Sequence, residues 1–103
     1  MPTAEHTFAV DHPAAEGHFP GNPIIPGAVL LSATLKAVEH ALGSSLPAYH
    51  LKSAKFFLPT RPGDTVVIEF SRSGTNSVKF AATVRGDKVL AGEVECSADP
   101  AKP

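Results

Sequence analysis

Between Asp11 and Pro26 the chain carries four prolines, Pro13, Pro20, Pro23 and Pro26, together with Gly17 and Gly21. Fixed φ angles and missing N–H donors at that density forbid a helix, so the segment is a stiff loop. Directly after it comes the one good helix pattern, Gly27 to Leu42, with Gly43 standing just past its end as a stop. At 100° per residue, Leu31, Leu35, Val38 and Leu42 form one apolar face, widened by Leu30, Ala37 and Ala41. Ser32, Lys36, Glu39 and His40 share the remaining stripe. A helix this apolar is expected to be largely wrapped by other structure.

Everything else reads as strand. Thr7–Val10 is a short candidate before the loop; Tyr49–Leu58 and Asp64–Ser73 follow the helix, the latter with Val66, Ile68 and Phe70 on one face. After a hairpin loop at Ser73–Asn76, Val78, Phe80, Ala82 and Val84 alternate with Lys79, Thr83 and Arg85, a period of two. Gly86-Asp87 turns the chain into a last strand, Lys88–Ser97. Strands joined by short turns pair antiparallel, so the class is α+β: one helix laid across a curved antiparallel sheet. Residues 1–98 form a single domain, and 99–103 a flexible C-terminal tail.

Composition narrows the function classes. With 103 residues, 43% of them hydrophobic, the chain is one compact domain. A domain of this size buries a modest share of its surface, so a partner subunit is expected to help. A net charge of −1 argues against a nucleic-acid binder. Cys96 is the only cysteine, which rules out an intrachain disulfide and fits a reducing, cytoplasmic compartment. The first residues show no leader pattern, and the longest apolar run, Ala28–Leu31, is too short to span a bilayer, so no membrane association is expected.

The chemistry concentrates in Gly17-His18-Phe19-Pro20-Gly21-Asn22-Pro23-Ile24-Ile25-Pro26-Gly27. It sets a histidine on a stiff loop that runs straight into a helix N-terminus. Free N–H groups there can hold a developing oxyanion, and a histidine can move a proton near neutral pH. An apolar helix beside them can line a tunnel for an acyl chain. Together these residues point to proton abstraction next to a carbonyl.

The same residues resemble a known signature. His-Phe-Pro-Gly-x-Pro-x-x-Pro-Gly is similar to the motif of the FabA/FabZ-type β-hydroxyacyl-ACP dehydratases. Lys55-Phe56 followed by Pro62-Gly63-Asp64, and the closing strand Val89–Ser97, resemble later parts of that family. The likeness covers roughly residues 14–97, and the short N-terminal lead is more similar to the compact dehydratase-like members associated with aryl-polyene synthesis. The resemblance implies a hot-dog fold and a dimer with active sites at the subunit interface. It implies that His18 is the catalytic histidine and that the Gly27 N–H holds the thioester carbonyl, with Phe19, Gly21, Pro26 and Ala28 completing the substrate-binding set. It implies an acyl carrier protein or CoA thioester as partner, and no cofactor.

One position departs from the family. Fourteen residues after the histidine, where the family has a helix carboxylate, this chain has Ser32. That carboxylic acid assists departure of the β-hydroxyl, and losing a positioned general acid typically costs ~10²–10⁴ in rate. Glu39 lies two turns along, roughly 10 Å away at 1.5 Å per residue, and Glu16 sits on the loop; neither has the family's geometry. Ser32 would instead order water or the substrate hydroxyl. A Ser32–Lys36 contact is within reach, without a base–orienter arrangement around it. His6, His12, His40 and His50 show no metal-ligand spacing. Two alternatives stay open: a hot-dog acyl thioesterase, or a non-catalytic acyl-binding or scaffolding subunit, as a homodimer or paired with a paralogue that supplies the acid.

Overall fold

A computed structural model describes residues 2–11, 23–43, 46–74 and 76–98. His18, Phe19, Gly21, Glu16 and the tail at 99–103 lie outside the described residues. The elements are β1 (Thr3–Thr7), α1 (Gly27–Leu42), β2 (Tyr49–Phe56), β3 (Thr65–Ser73), β4 (Ser77–Val84) and β5 (Asp87–Cys96). All strands join one antiparallel sheet in the order β1-β3-β4-β5-β2. This is the α+β arrangement of one helix and one antiparallel sheet that the sequence pattern called for.

The helix starts and stops where its punctuation says. Pro26 is its N-cap at φ −57 and ψ 145, and its carbonyl accepts from the N–H groups of Val29 and Leu30, each at 3.0 Å. Gly43 closes it at φ 81, a left-handed conformation that costs glycine little, and donates to the Glu39 carbonyl at 3.0 Å. The buried face is rotated from the expected one. Leu30, Thr34, Leu35 and Val38 are buried, Leu31 and Leu42 are half-buried, and Ala41 is exposed. Thr34 enters the core because its hydroxyl donates to the Leu30 carbonyl at 2.8 Å, leaving its methyl to pack.

The core sits between this face and the central strands. Val66, Ile68 and Phe70 of β3 and Val78, Phe80, Ala82 and Val84 of β4 are all buried, with Leu90 and Val94 of β5 beside them. The turn from β4 to β5 falls at Arg85-Gly86, one residue earlier than expected. Both have positive φ, 50 and 84, which matches the right-handed strand twist in a two-residue hairpin. The Arg85 guanidinium reaches the nearly buried Asp64 carboxylate at 3.0 Å, and the other Asp64 oxygen accepts from the Arg61 N–H at 2.8 Å.

Strand bounds also move: β3 begins at Thr65 rather than Asp64, and β5 runs Asp87–Cys96 rather than Lys88–Ser97. The N-terminal strand is Thr3–Thr7 rather than Thr7–Val10, because β1 is defined by pairing with β3, Thr3 opposite Glu69 through Thr7 opposite Thr65. Phe8 follows it as a core residue, and Val10 is 83% exposed. β2 ends at Phe56 instead of Leu58.

Candidate functional site

Two hollows meet the start of α1, on different sides. The first is a crevice of about 260 Å³ lined by Ile24, Gly27, Leu30, Phe56, Leu58 and Thr60, among others. It exists because an antiparallel bridge, Ile25 N–H to the Thr60 carbonyl at 2.7 Å, ties the residues before the helix to the loop after β2. Phe56 then lies against Gly27 so closely that a Cβ there would sit 3.1 Å from its ring. That proximity is a physical reason for glycine at the first helical position.

Gly27 and Ala28 place their N–H groups at this helix start without a backbone or side-chain acceptor among the described residues. Pro26 offers no side-chain cap, and the first turn holds no acidic residue. Two unsatisfied donors at the positive end of a helix dipole suit a carbonyl that gains negative charge. Nearby, Thr60 is 1% exposed and its hydroxyl has no hydrogen-bond partner among the described residues.

The second hollow is a groove of about 740 Å³ between α1 and β1. Ala28, Ser32, Lys36 and His40, spaced by four, form its helix side; Glu5 and His6 stand on the strand side. Ser32 is exposed here, and it is about 140° around the helix from Gly27 at 100° per residue. Of the expected site residues in the described region, Pro26 and Gly27 therefore gather at the crevice, while Ala28 and Ser32 face the groove.

Glu39 does not replace the missing acid. Its carboxylate accepts from the Leu46 N–H at 2.6 Å and ties down the chain beyond the helix. Two of the histidines have partners of their own: His6 packs edge-on against Phe8 at 4.6 Å, and His50 lies 3.6 Å from Glu95. Cys96 is buried, and burial pushes its thiol up. Among the described residues no three His, Cys, Asp or Glu side chains group as for a metal, and no helix is long and apolar enough to cross a membrane. Sequence reasoning missed the crevice wall from Phe56 to Thr60. The exposed run Phe56-Phe57-Leu58 was its only local signal; the bridge to Ile25 carries none.

A family model described as ApeI-like, ApeI dehydratase, matches residues 2–93. The chain belongs to the ApeI-like dehydratase family. Among its relatives, the 3-hydroxyacyl-[acyl-carrier-protein] dehydratase FabZ of Ligilactobacillus salivarius is 34% identical, covering 88% of this chain and 73% of that protein. FabZ of Enterococcus faecalis is 32% identical over the same share of this chain and 72% of its own. The fold agrees. The dehydratase heterocomplex ApeI:P from Xenorhabdus doucetiae superposes with a TM-score of 0.74 at 17% identity, covering 90% of this chain and 83% of that one. The fluoroacetyl-CoA thioesterase FlK superposes at 0.60 with 18% identity, covering 91% and 82%. By family the chain is thus a dehydratase-like hot-dog protein.

Proposed function

We propose that the chain dehydrates 3-hydroxyacyl thioesters to 2-enoyl thioesters, in the cytoplasm, on an acyl carrier protein or CoA. The observation that carries the reading is the pair of N–H groups at Gly27 and Ala28, without an acceptor among the described residues, at a helix start that meets an apolar crevice. With the thioester carbonyl on those donors, His18 removes the proton from C2 and negative charge collects on the carbonyl oxygen. As the C2=C3 double bond forms, the C3–O bond breaks and the hydroxyl leaves as water, taking up the proton that His18 has removed from C2. Ser32 orders that water or hydroxyl in place of a carboxylic acid. Phe19, Gly21, Pro26 and Ala28 complete the substrate wall.

A dimer is part of the proposal. β2 sits at a sheet edge, with Tyr49, Leu51 and Phe56 exposed, and offers both unpaired backbone and apolar side chains to a second subunit. In one chain Ser32 looks away from the crevice at Gly27; a site assembled across two chains removes that difficulty. A heteromeric pairing with a paralogue that supplies the acid is the alternative assembly.

The test is incubation of pure protein with 3-hydroxyacyl- and enoyl-thioesters, following enoyl absorbance and free thiol. Interconversion in wild type, abolished in His18→Ala and raised about tenfold or more in a folded Ser32→Glu, is the expected outcome. Release of free thiol instead identifies a thioesterase. Wild-type activity that a well-folded Ser32→Glu slows assigns Ser32 to a different mechanism.

A further inference from the structure

The sheet face turned away from Val66, Ile68 and Phe70 carries two cross-strand rows of side chains. Reading from β3 to β2, the register aligns Glu69, Ala81, Ala91 and Lys55 in one row. The adjacent row is Ser71, Lys79, Glu93 and Ser53. Directly opposed residues share a face, so each row is a continuous strip. A shallow hollow of about 610 Å³ lies over the strips, because methyl groups occupy the middle of the first.

The charges along these strips are antisymmetric about the line between β4 and β5. We infer that this face is a self-association surface, on which a second copy of the chain seats about a two-fold axis parallel to the strands along that line. The rotation lays β3 on the partner's β2 and β4 on the partner's β5. Glu69 then meets Lys55 of the partner subunit, Lys79 meets Glu93 of the partner subunit, and Ala81 meets the partner's Ala91. One row further on, Val67 and Phe57, exposed by 36% and 44%, fall opposite each other's copies. Glu69 and Lys55 have no ion-pair partner within the described chain, whereas Glu93 has Lys52 at 3.8 Å.

An axis perpendicular to the strands fails the same check. It stacks Lys79 on Ala81 and Glu93 on Ala91 and pairs no charges. Self-complementarity of one patch is what an isologous contact requires. Four strands at ~4.8 Å spacing span about 14 Å. A patch of this size falls below the roughly 1,200 Å² at which stable interfaces begin, so the association is weak and concentration- and salt-dependent.

The inference stands apart from the catalytic proposal and from pairing at β2, which uses the sheet edge and leaves this face uncovered. The experiment is sedimentation of wild type, Lys55→Glu, Glu69→Lys and the double charge swap, at low salt and at about 1 M salt, where the Debye length is about 3 Å. Wild type should show a species that at least doubles in mass with concentration at low salt and returns to the smaller unit at high salt. Each single reversal sets like charges against each other twice per interface and should weaken the doubling at least tenfold. The double swap restores both pairs and should recover it to within about threefold of wild type. If Lys55→Glu disturbs β2, seen by circular dichroism, Glu69→Lys carries the single-reversal arm. Wild type that never doubles, reversals without effect, or a double swap no better than the singles each overturn the inference.

Discussion

β3 and β2 are strands of similar length in one sheet, yet they meet water in opposite ways. β3 has a neighbour on both sides, and Val66, Ile68 and Phe70 are at most 4% exposed. β2 pairs only with β5, and of its eight residues Ala54 alone is half-buried. The chain satisfies β3 by itself and leaves β2 incomplete. Continuing past β2, Phe56 is 47% exposed and Leu58 52%, and both line the crevice at Gly27. The fold is therefore secured in β3, β4 and β5, while the apolar surface left over is gathered at the crevice where the site is proposed. A small domain that buries a limited share of its surface does best to leave the exposed remainder where a subunit or an acyl chain will cover it.

The sharpest way to break this division is Gly92→Ala. Gly92 lies on β5, between the two kinds of strand. A Cβ there would stand 2.4 Å from the Ser53 carbonyl on β2 and 2.7 Å from the Phe80 ring on β4. The Phe80 ring fills the space a side chain would need, so backbone has to move. We expect a loss of about 3 kcal/mol or more in urea unfolding. An unchanged midpoint would show that β2 slides away from β5 at little cost, and the sheet would then have four firm strands.

Next in size is a matched pair of truncations. Ile68→Ala in β3 removes a fully buried side chain and should cost about 3 kcal/mol at any protein concentration. Leu51→Ala in β2 removes a side chain that is 42% exposed and should cost under about 1 kcal/mol in the dissociated chain, while weakening association measured by sedimentation. Equal losses, both independent of concentration, would erase the distinction between the strands.

Cys96 offers a smaller pH test at the end of β5. Its thiol is raised by burial, so the neutral form favours the fold. That contribution is whole below the thiol's unfolded value and is lost as pH rises through the raised folded one. The stability advantage of wild type over Cys96→Ala should therefore shrink in alkali, and widening would put the thiolate in a favourable site.

Local signals explain what was legible in the sequence. Pro26 and Gly43 bound the helix because each acts on its own backbone, and the alternation Val78, Phe80, Ala82, Val84 needs only the period of a strand. What escaped depends on contacts distant in sequence. β1 is polar where it is strand and apolar just beyond, and only its pairing with β3 shows it. Thr34 reads as a surface residue until its hydroxyl turns back to Leu30. Gly92 looks like a weak point in a strand until Phe80 covers it. For the site, the helix start and its free donors were readable from Pro26-Gly27, whereas the separation of Ser32 from Gly27 onto different hollows required the surrounding strands.

The smallest expected effect has the opposite sign and probes the border between the two regions. Thr60 follows the exposed run from Phe56 to Leu58, yet it is 1% exposed and its carbonyl holds Ile25 at 2.7 Å. Its hydroxyl is buried with no partner among the described residues. Burying a hydroxyl without a bond is unfavourable, and valine has the same branched shape without the oxygen. Thr60→Val keeps the backbone bridge to Ile25 and should stabilise the chain by about 1 kcal/mol in urea unfolding. A gain would place this part of the crevice with β3, β4 and β5 as firm apolar wall, with only the aromatic rim left to a partner or substrate. A loss of more than about 1 kcal/mol would mean that the hydroxyl is bonded after all, through a water held in the crevice, and that the wall beside Gly27 is polar.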